Sequence, residues 1–169
     1  TTVGKDVTVT AEFVPDEHSG YVADSDDDEF NVAKLNTSID IDASDIVAHQ
    51  ENNVTLTLNN INDSKVIPGE ELSVVIKDEF GNVLFEGPVD VPTDADGKVV
   101  VEFIPVTDTP VTVVAEFAET DVYLESSNED TTEVGTMPTS LNVSAVDTRI
   151  NGTSDITVNL TDANGNPVN

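Results

Sequence analysis

The chain has 169 residues, 34 acidic against six basic, and a formal net charge of −28. That balance excludes nucleic acid and anionic lipid surfaces as partners, since both are gripped by clustered Lys and Arg. It leaves cations, basic surfaces and carbohydrate. Without cysteine there is no disulfide framework and no thiolate metal site, while 37% hydrophobic residues suffice for a core.

In chain order, apolar residues alternate with polar ones at period two, in short runs punctuated by Gly, Pro, Asn and Asp, which predicts strands throughout. Val7–Phe13 is the first such run. An acidic loop holding Tyr21 and Asp24-Ser-Asp-Asp-Asp-Glu29 follows, then a weak strand at Glu29–Val32. Next come expected strands A (Thr37–Asp42), B (Val54–Leu58), C (Leu72–Lys77), C′ (Val83–Glu86), E (Lys98–Pro105), F (Val111–Phe117) and a weak G (Thr131–Val134). The turns Asp78-Glu-Phe-Gly81-Asn82, Asp94-Ala-Asp-Gly97-Lys98 and Asp162-Ala-Asn-Gly-Asn-Pro-Val168 each place a glycine where positive φ is wanted. Seven short strands at this spacing read as an antiparallel immunoglobulin-like β-sandwich.

The chain also repeats itself. Val7-Thr-Val-Thr-Ala-Glu-Phe13 returns as Val111-Thr-Val-Val-Ala-Glu-Phe117, 104 residues on. Tyr21–Ser25 returns as Tyr123–Ser127, and Thr37-Ser-Ile-Asp-Ile41 as Thr139-Ser-Leu-Asn-Val143, both 102 residues on. The expected organisation is all-β, with tandem immunoglobulin-like antiparallel sandwiches. Residues 1–33 are read as the last strands (F, G) of a preceding repeat, 34–134 as one complete repeat, and 135–169 as the first strands (A, B) of a following one. A stack of such units is held mainly by its neighbours. The two partial repeats are expected to be completed either by more of a longer chain or by strands from adjacent copies.

The run Val7–Phe13, the acidic loop with Tyr21, and Phe30-Asn-Val-Ala-Lys-Leu-Asn-Thr37 resemble the immunoglobulin-like repeats of prokaryotic surface adhesins, most of all the adhesin-like proteins of methanogenic archaea. Thr93–Lys98 and Asp162–Val168 are similar to turns of invasin-type bacterial immunoglobulin-like domains. The resemblance implies a secreted, extracellular cell-surface protein used in attachment or surface architecture, without catalytic activity. Its motifs are strand and turn signatures, and the long Asn59–Glu70 segment and heavy acidic load depart from the usual repeat.

Candidate sites follow from this layout. Only Lys34-Leu35-Asn36 separates the partial repeat from the complete one, and Leu35 is expected to plug the junction. The loops at the leading end of the complete unit would gather Asp63, Glu70, Asp94, Asp96, Glu119 and Asp121, with Lys34 neutralising one charge. Calcium takes six to eight oxygen ligands from such irregular acidic loops, so Asp94, Asp96, Glu119 and Asp121 are the candidate metal ligands, although no fixed ligand spacing is present. Six sequons, at Asn36, Asn53, Asn62, Asn142, Asn151 and Asn159, are candidate N-glycosylation sites. His18 and His49 stand in no zinc or nucleophile motif. Tyr21 and Tyr123 are expected to close the end of a sandwich or, less simply, to stack on a sugar. Phe85 reads as core and Phe80 as an exposed turn tip.

Overall fold

The computed structural model describes residues 6–89 and 91–168. Among them lie twelve strands and no helix: β1 (Asp6–Phe13), β2 (Asp24–Asn31), β3 (Thr37–Asp42), β4 (Asn52–Asn60), β5 (Lys65–Val66), β6 (Ser73–Asp78), β7 (Val83–Pro88), β8 (Lys98–Phe103), β9 (Val111–Phe117), β10 (Ser126–Thr132), β11 (Thr139–Ala145) and β12 (Ile156–Asp162).

Strands β3 to β10 build an antiparallel sandwich. One sheet runs β10-β9-β6-β7. In the other, β4 is flanked by β3 on one side and by β8 and the short β5 on the other. The order follows from the alternation, because β4, β6, β8 and β9 each carry an apolar face that must be covered. Val54, Leu56 and Leu58 of β4, Val74 and Ile76 of β6, Val99, Val101 and Phe103 of β8, and Val111, Val113, Ala115 and Phe117 of β9 are all buried in one core. Their polar neighbours, such as Thr55, Thr112 and Glu116, face outward. Ile41, Leu84, Phe85 and Tyr123 pack on the rim of that core.

The remaining strands form two separate hairpins, β1–β2 and β11–β12. Each reproduces a hairpin of the sandwich residue for residue. Val7 pairs with Phe30 and Phe13 with Asp24, as Val111 pairs with Thr132 and Phe117 with Ser126. Leu141 pairs with Leu160 and Val143 with Val158, as Ile39 pairs with Leu58 and Ile41 with Leu56. The internal repeat of the sequence is thus carried into strand register.

Strands A, C, C′, E and F lie within a few residues of their expected places, and B extends to Asn52–Asn60. Strand G does not. It is β10, Ser126–Thr132, five residues ahead of the expected start, and its counterpart β2, Asp24–Asn31, likewise starts five residues ahead of the weak strand expected from Glu29, taking in the stretch expected to be an acidic loop. Neither strand alternates apolar with polar. Their main chains pair with β1 and β9, and that pairing needs no apolar side chain. The Asn59–Glu70 segment also has a defined form. Lys65–Val66 turns back beside β4, with Ile67 N–H donating to Leu58 O at 2.9 Å. The corresponding turn after β12 does the same, with Val168 N–H donating to Leu160 O at 3.1 Å.

The three Asp-x-x-Gly turns share one mechanism. The carboxylates of Asp78, Asp94 and Asp162 accept the N–H groups two and four residues ahead, at 2.8–2.9 Å. The glycine N–H returns to the aspartate carbonyl at 3.0 Å. Gly81, Gly97 and Gly165 hold φ of 83°, 68° and 84°, the left-handed region that a side chain penalises.

Candidate functional site

The feature that most distinguishes the sandwich is the seam where its first strand meets its last. β3 and its flanking residues run parallel to β10, and the two are joined at both ends through the backbone. At the leading end Leu35 N–H donates to Val122 O and Leu124 N–H to Leu35 O, each at 2.9 Å. At the trailing end Gly135 N–H donates to Ile46 O at 2.8 Å and Ala48 N–H to Gly135 O at 2.9 Å. Between them the contact passes through side chains. Thr37 Oγ1 donates to Leu124 O and lies 2.7 Å from Ser126 Oγ, while Asn128 Nδ2 donates to Ile39 O at 2.8 Å. Strand β10 is polar because its inward residues serve this seam. Sequence reasoning missed Ser126 and Asn128, whose only signal was their place in the repeat after Tyr123.

Leu35 therefore belongs to the complete unit as the start of its seam, and is half-buried there. Lys34 is tied to the same end. Its Nζ donates to Glu119 Oε1 at 2.5 Å and to Thr120 O at 2.6 Å, which places the lysine beside an acid as expected. The pair is partly exposed, so its contribution to stability is small.

The four carboxylates expected to hold calcium are otherwise engaged or apart. Asp94 Oδ1 accepts the Asp96 and Lys98 N–H groups inside its turn, and Glu119 bonds Lys34. Asp96 and Asp121 are exposed. Among the described residues no three acidic or histidine side chains converge closely enough to hold a metal ion. What joins the leading-end loops is backbone and threonine. Thr93 Oγ1 accepts from Glu70 N–H and donates to Ile67 O, while Gly69 N–H donates to Thr93 O and Thr93 N–H to Glu70 O across the same two loops.

Two aspartates have lowered pKa values. For Asp78 the main cause is the hydrogen bond from the Asn82 side chain, aided by the N–H groups of Asn82, Phe80 and Gly81, with desolvation opposing them. For Asp162 the Asn166 N–H leads, followed by the Asn166 side chain. Both stabilise the charged form of a turn-forming carboxylate.

All six sequon asparagines are exposed. Asn53 projects outward from β4 opposite Glu102. Asn62 Oδ1 accepts the Asn36 N–H at 2.7 Å, so these two sequons meet. Asn142 and Asn159 are direct cross-strand partners, with Cβ atoms roughly 5 Å apart by the geometry of such pairs. Asn151 stands at φ 66°.

Tyr123 packs edge-on against Phe117, ring centres 6.4 Å apart, and seals the end of the core. Tyr21 and Phe13 form the equivalent pair, also at 6.4 Å, but exposed. His18 and His49 both hold positive φ in turns. Phe80 is exposed at its turn tip, as expected, whereas Phe85, expected in the core, is half-buried against its rim. A shallow groove of about 610 Å³ lies at one end of the β10-β9-β6-β7 sheet, lined by Glu71, Leu72, Pro88, Glu116, Phe117 and Ser127 among others. The sequence did not point to it, because its residues come from four strands and the loops beside them. Among the described residues no helix is long and apolar enough to cross a membrane.

No protein-family model matches the chain, and no curated protein sequence matches it.

Proposed function

We propose that the chain is a non-enzymatic spacer segment of a large, extracellular, cell-surface adhesin-like protein built from tandem immunoglobulin-like repeats. The observation that carries this reading is the repetition of hairpin register. β1–β2 matches β9–β10, and β11–β12 matches β3–β4, at the displacements of the sequence repeat. The geometry of the complete unit supports it. The chain joins the seam at Leu35 and leaves it at Gly135, at opposite ends of a strand path of twelve residues (35–46). That path spans up to about 40 Å at the rise of a β-strand, so each repeat adds length along one direction. The acidic surface keeps such a rod soluble, and the exposed sequons are its sites for N-linked glycan. Its direct partners are the neighbouring repeats, and a glycan or other surface ligand belongs to the protein's tip.

A second reading is favoured by one observation. The apolar faces of β1–β2 and β11–β12 are open, with Phe13, Phe30, Leu141, Val143, Ile156 and Val158 exposed. In a filament, strands from adjacent copies would cover them by β-augmentation. The denatured mass of the native polypeptide after deglycosylation separates the two. A mass of several hundred kilodaltons is expected of the spacer. A mass near 18.0 kDa, that of these 169 residues alone, would overturn it in favour of the filament.

A further inference from the structure

With β1–β2 read as the last two strands of a repeat, as above, the complete unit is a template for what closes on them. A strand must run parallel to β2, as β3 runs along β10, and meet it at the inward positions of the seam. In the complete unit those positions are Ser126, opposite Phe117, and Asn128, opposite Ala115. In β2 they are Asp24, opposite Phe13, and Asp26, opposite Ala11. The next inward position is Asp130 in β10 and Asp28 in β2.

This exchange changes what the seam can bond. Asn128 bonds in two directions, with Oδ1 accepting the Glu129 N–H at 2.9 Å and Nδ2 donating to Ile39 O at 2.8 Å. An ionised carboxylate accepts only. Asp26 therefore has no proton to offer a strand carbonyl, and meets it as one negative dipole end against a charge. Asp24 and Asp28, on the same face, add like-charge repulsion. No Lys or Arg occurs between Asp6 and Asn31, so the hairpin itself supplies no counter-charge and a closing strand is placed to bring one.

We propose that this strand is basic: it carries Lys or Arg where β3 carries Thr37, placing a cation against Asp24 and Asp26, with apolar residues on its inward side to cover Val9 and Phe13. Such a pair is a charge-assisted hydrogen bond at a position where the complete unit has Thr37 buried and Ser126 half-buried, and it is stronger than the neutral bond it replaces. It also selects the partner. β11 of a second copy has Thr139 and Leu141 at these positions and offers no such cation, so copies of this chain do not close on one another here, while the preceding repeat accepts its own first strand. The seam residues thus act as an address that keeps neighbouring repeats from exchanging strands.

The test uses the whole chain and two synthetic peptides of residues 35–46, one unchanged and one with Thr37→Lys. At low salt the lysine peptide is expected to bind about tenfold more tightly, the scale of one charge-assisted bond, and to lose that advantage on the D24S/D26N double variant. Equal binding of the two peptides, absence of binding by both, or a preference that survives in D24S/D26N overturns the proposal. A graft into the complete unit tests the same chemistry where the geometry is known. S126D/N128D is expected to lower its melting temperature by several degrees, and adding T37K to restore most of the loss. N128D alone serves if the double variant does not fold. A graft without effect, or one that T37K does not rescue, also overturns the proposal. Failure of the tandem reading itself would show separately, as a native polypeptide of about the mass of this segment.

Discussion

Hairpins β9–β10 and β1–β2 have the same pairing register and the same edge-on aromatic pair, yet opposite surroundings. Val113 and Phe117 are 0% and 3% exposed, whereas Val9 and Phe13 are 55% and 50% exposed. The difference lies in the partners. β9 has β6 along its free edge and the β3-β4-β8 sheet across its face, and β1 has neither among the described strands. Local sequence is therefore enough to set a hairpin's register, while burial, and with it most of the stability, comes from strands distant in the chain. Two-stranded pieces are marginal on their own for this reason.

Paired substitutions at repeat-equivalent positions sharpen that comparison. The largest difference is expected between Leu56→Ala and Val158→Ala. Leu56 is fully buried on β4, and its loss leaves a cavity costing about 2–5 kcal/mol. Val158, its equivalent on β12, is exposed, and a change there stays within about 0.5 kcal/mol. Thermal unfolding followed by circular dichroism checks both, and equal effects would mean that β11–β12 is covered as fully as β3–β4.

Gly97→Ala and Gly81→Ala form the next pair. Both glycines hold positive φ, but a Cβ on Gly97 would lie 2.7 Å from Val66 Cβ and 3.0 Å from Leu58 O, whereas Gly81 has open space. Gly97→Ala is expected to cost about 3 kcal/mol, strain and clash together, against about 1 kcal/mol for Gly81→Ala. Denaturant midpoints measure the gap. Tyr123→Ala then removes the ring that seals the core end, at about 2 kcal/mol, while Tyr21→Ala stays within about 0.5 kcal/mol. A comparable loss at Tyr21 would show that its hairpin already has a partner in solution.

The smallest effect is a pH dependence. Asp78 has a folded-state pKa below its unfolded value, held there first by the Asn82 side chain. Its contribution is therefore fully present above the ordinary aspartate pKa, near 4, and is lost as pH falls through the lowered folded value. An Asp78→Asn variant should show a shallower fall in melting temperature below about pH 4 than the parent chain. A parallel pair of pH profiles would mean that the turn's hydrogen bonds do not favour the charged form.

The legible parts of the fold are those where side chains dictate position. Thr37–Asp42 and Val111–Phe117 were placed to the residue because each alternates cleanly and ends at a polar turn. The Asp-x-x-Gly turns were legible because an aspartate three residues before a glycine suits a short loop whose carboxylate accepts the turn's own N–H groups. Strand G was not legible. Ser-Ser-Asn-Glu-Asp-Thr-Thr reads as loop, and only the seam with β3 explains why polar residues face inward there. The calcium expectation failed to find a gathered site for a related reason. Composition supplies carboxylates, but turn N–H groups and Lys34 reach Asp94 and Glu119 first, and local backbone demand is invisible in a count of acids.

The parallel course of β3 and β10 has a mechanical consequence. A pull applied through Leu35 at one end and Gly135 at the other acts along both strands in opposite senses, so the seam is loaded in shear. Its backbone bonds at Val122, Leu124, Ile46 and Ala48, and the side-chain bonds between them, share the force and yield together. An antiparallel hairpin drawn apart at its open end, as β1–β2 would be if gripped at Asp6 and Asn31, instead gives way one rung at a time. The same chain thus contains a latch and a zipper, distinguished only by which way the strands run relative to the load.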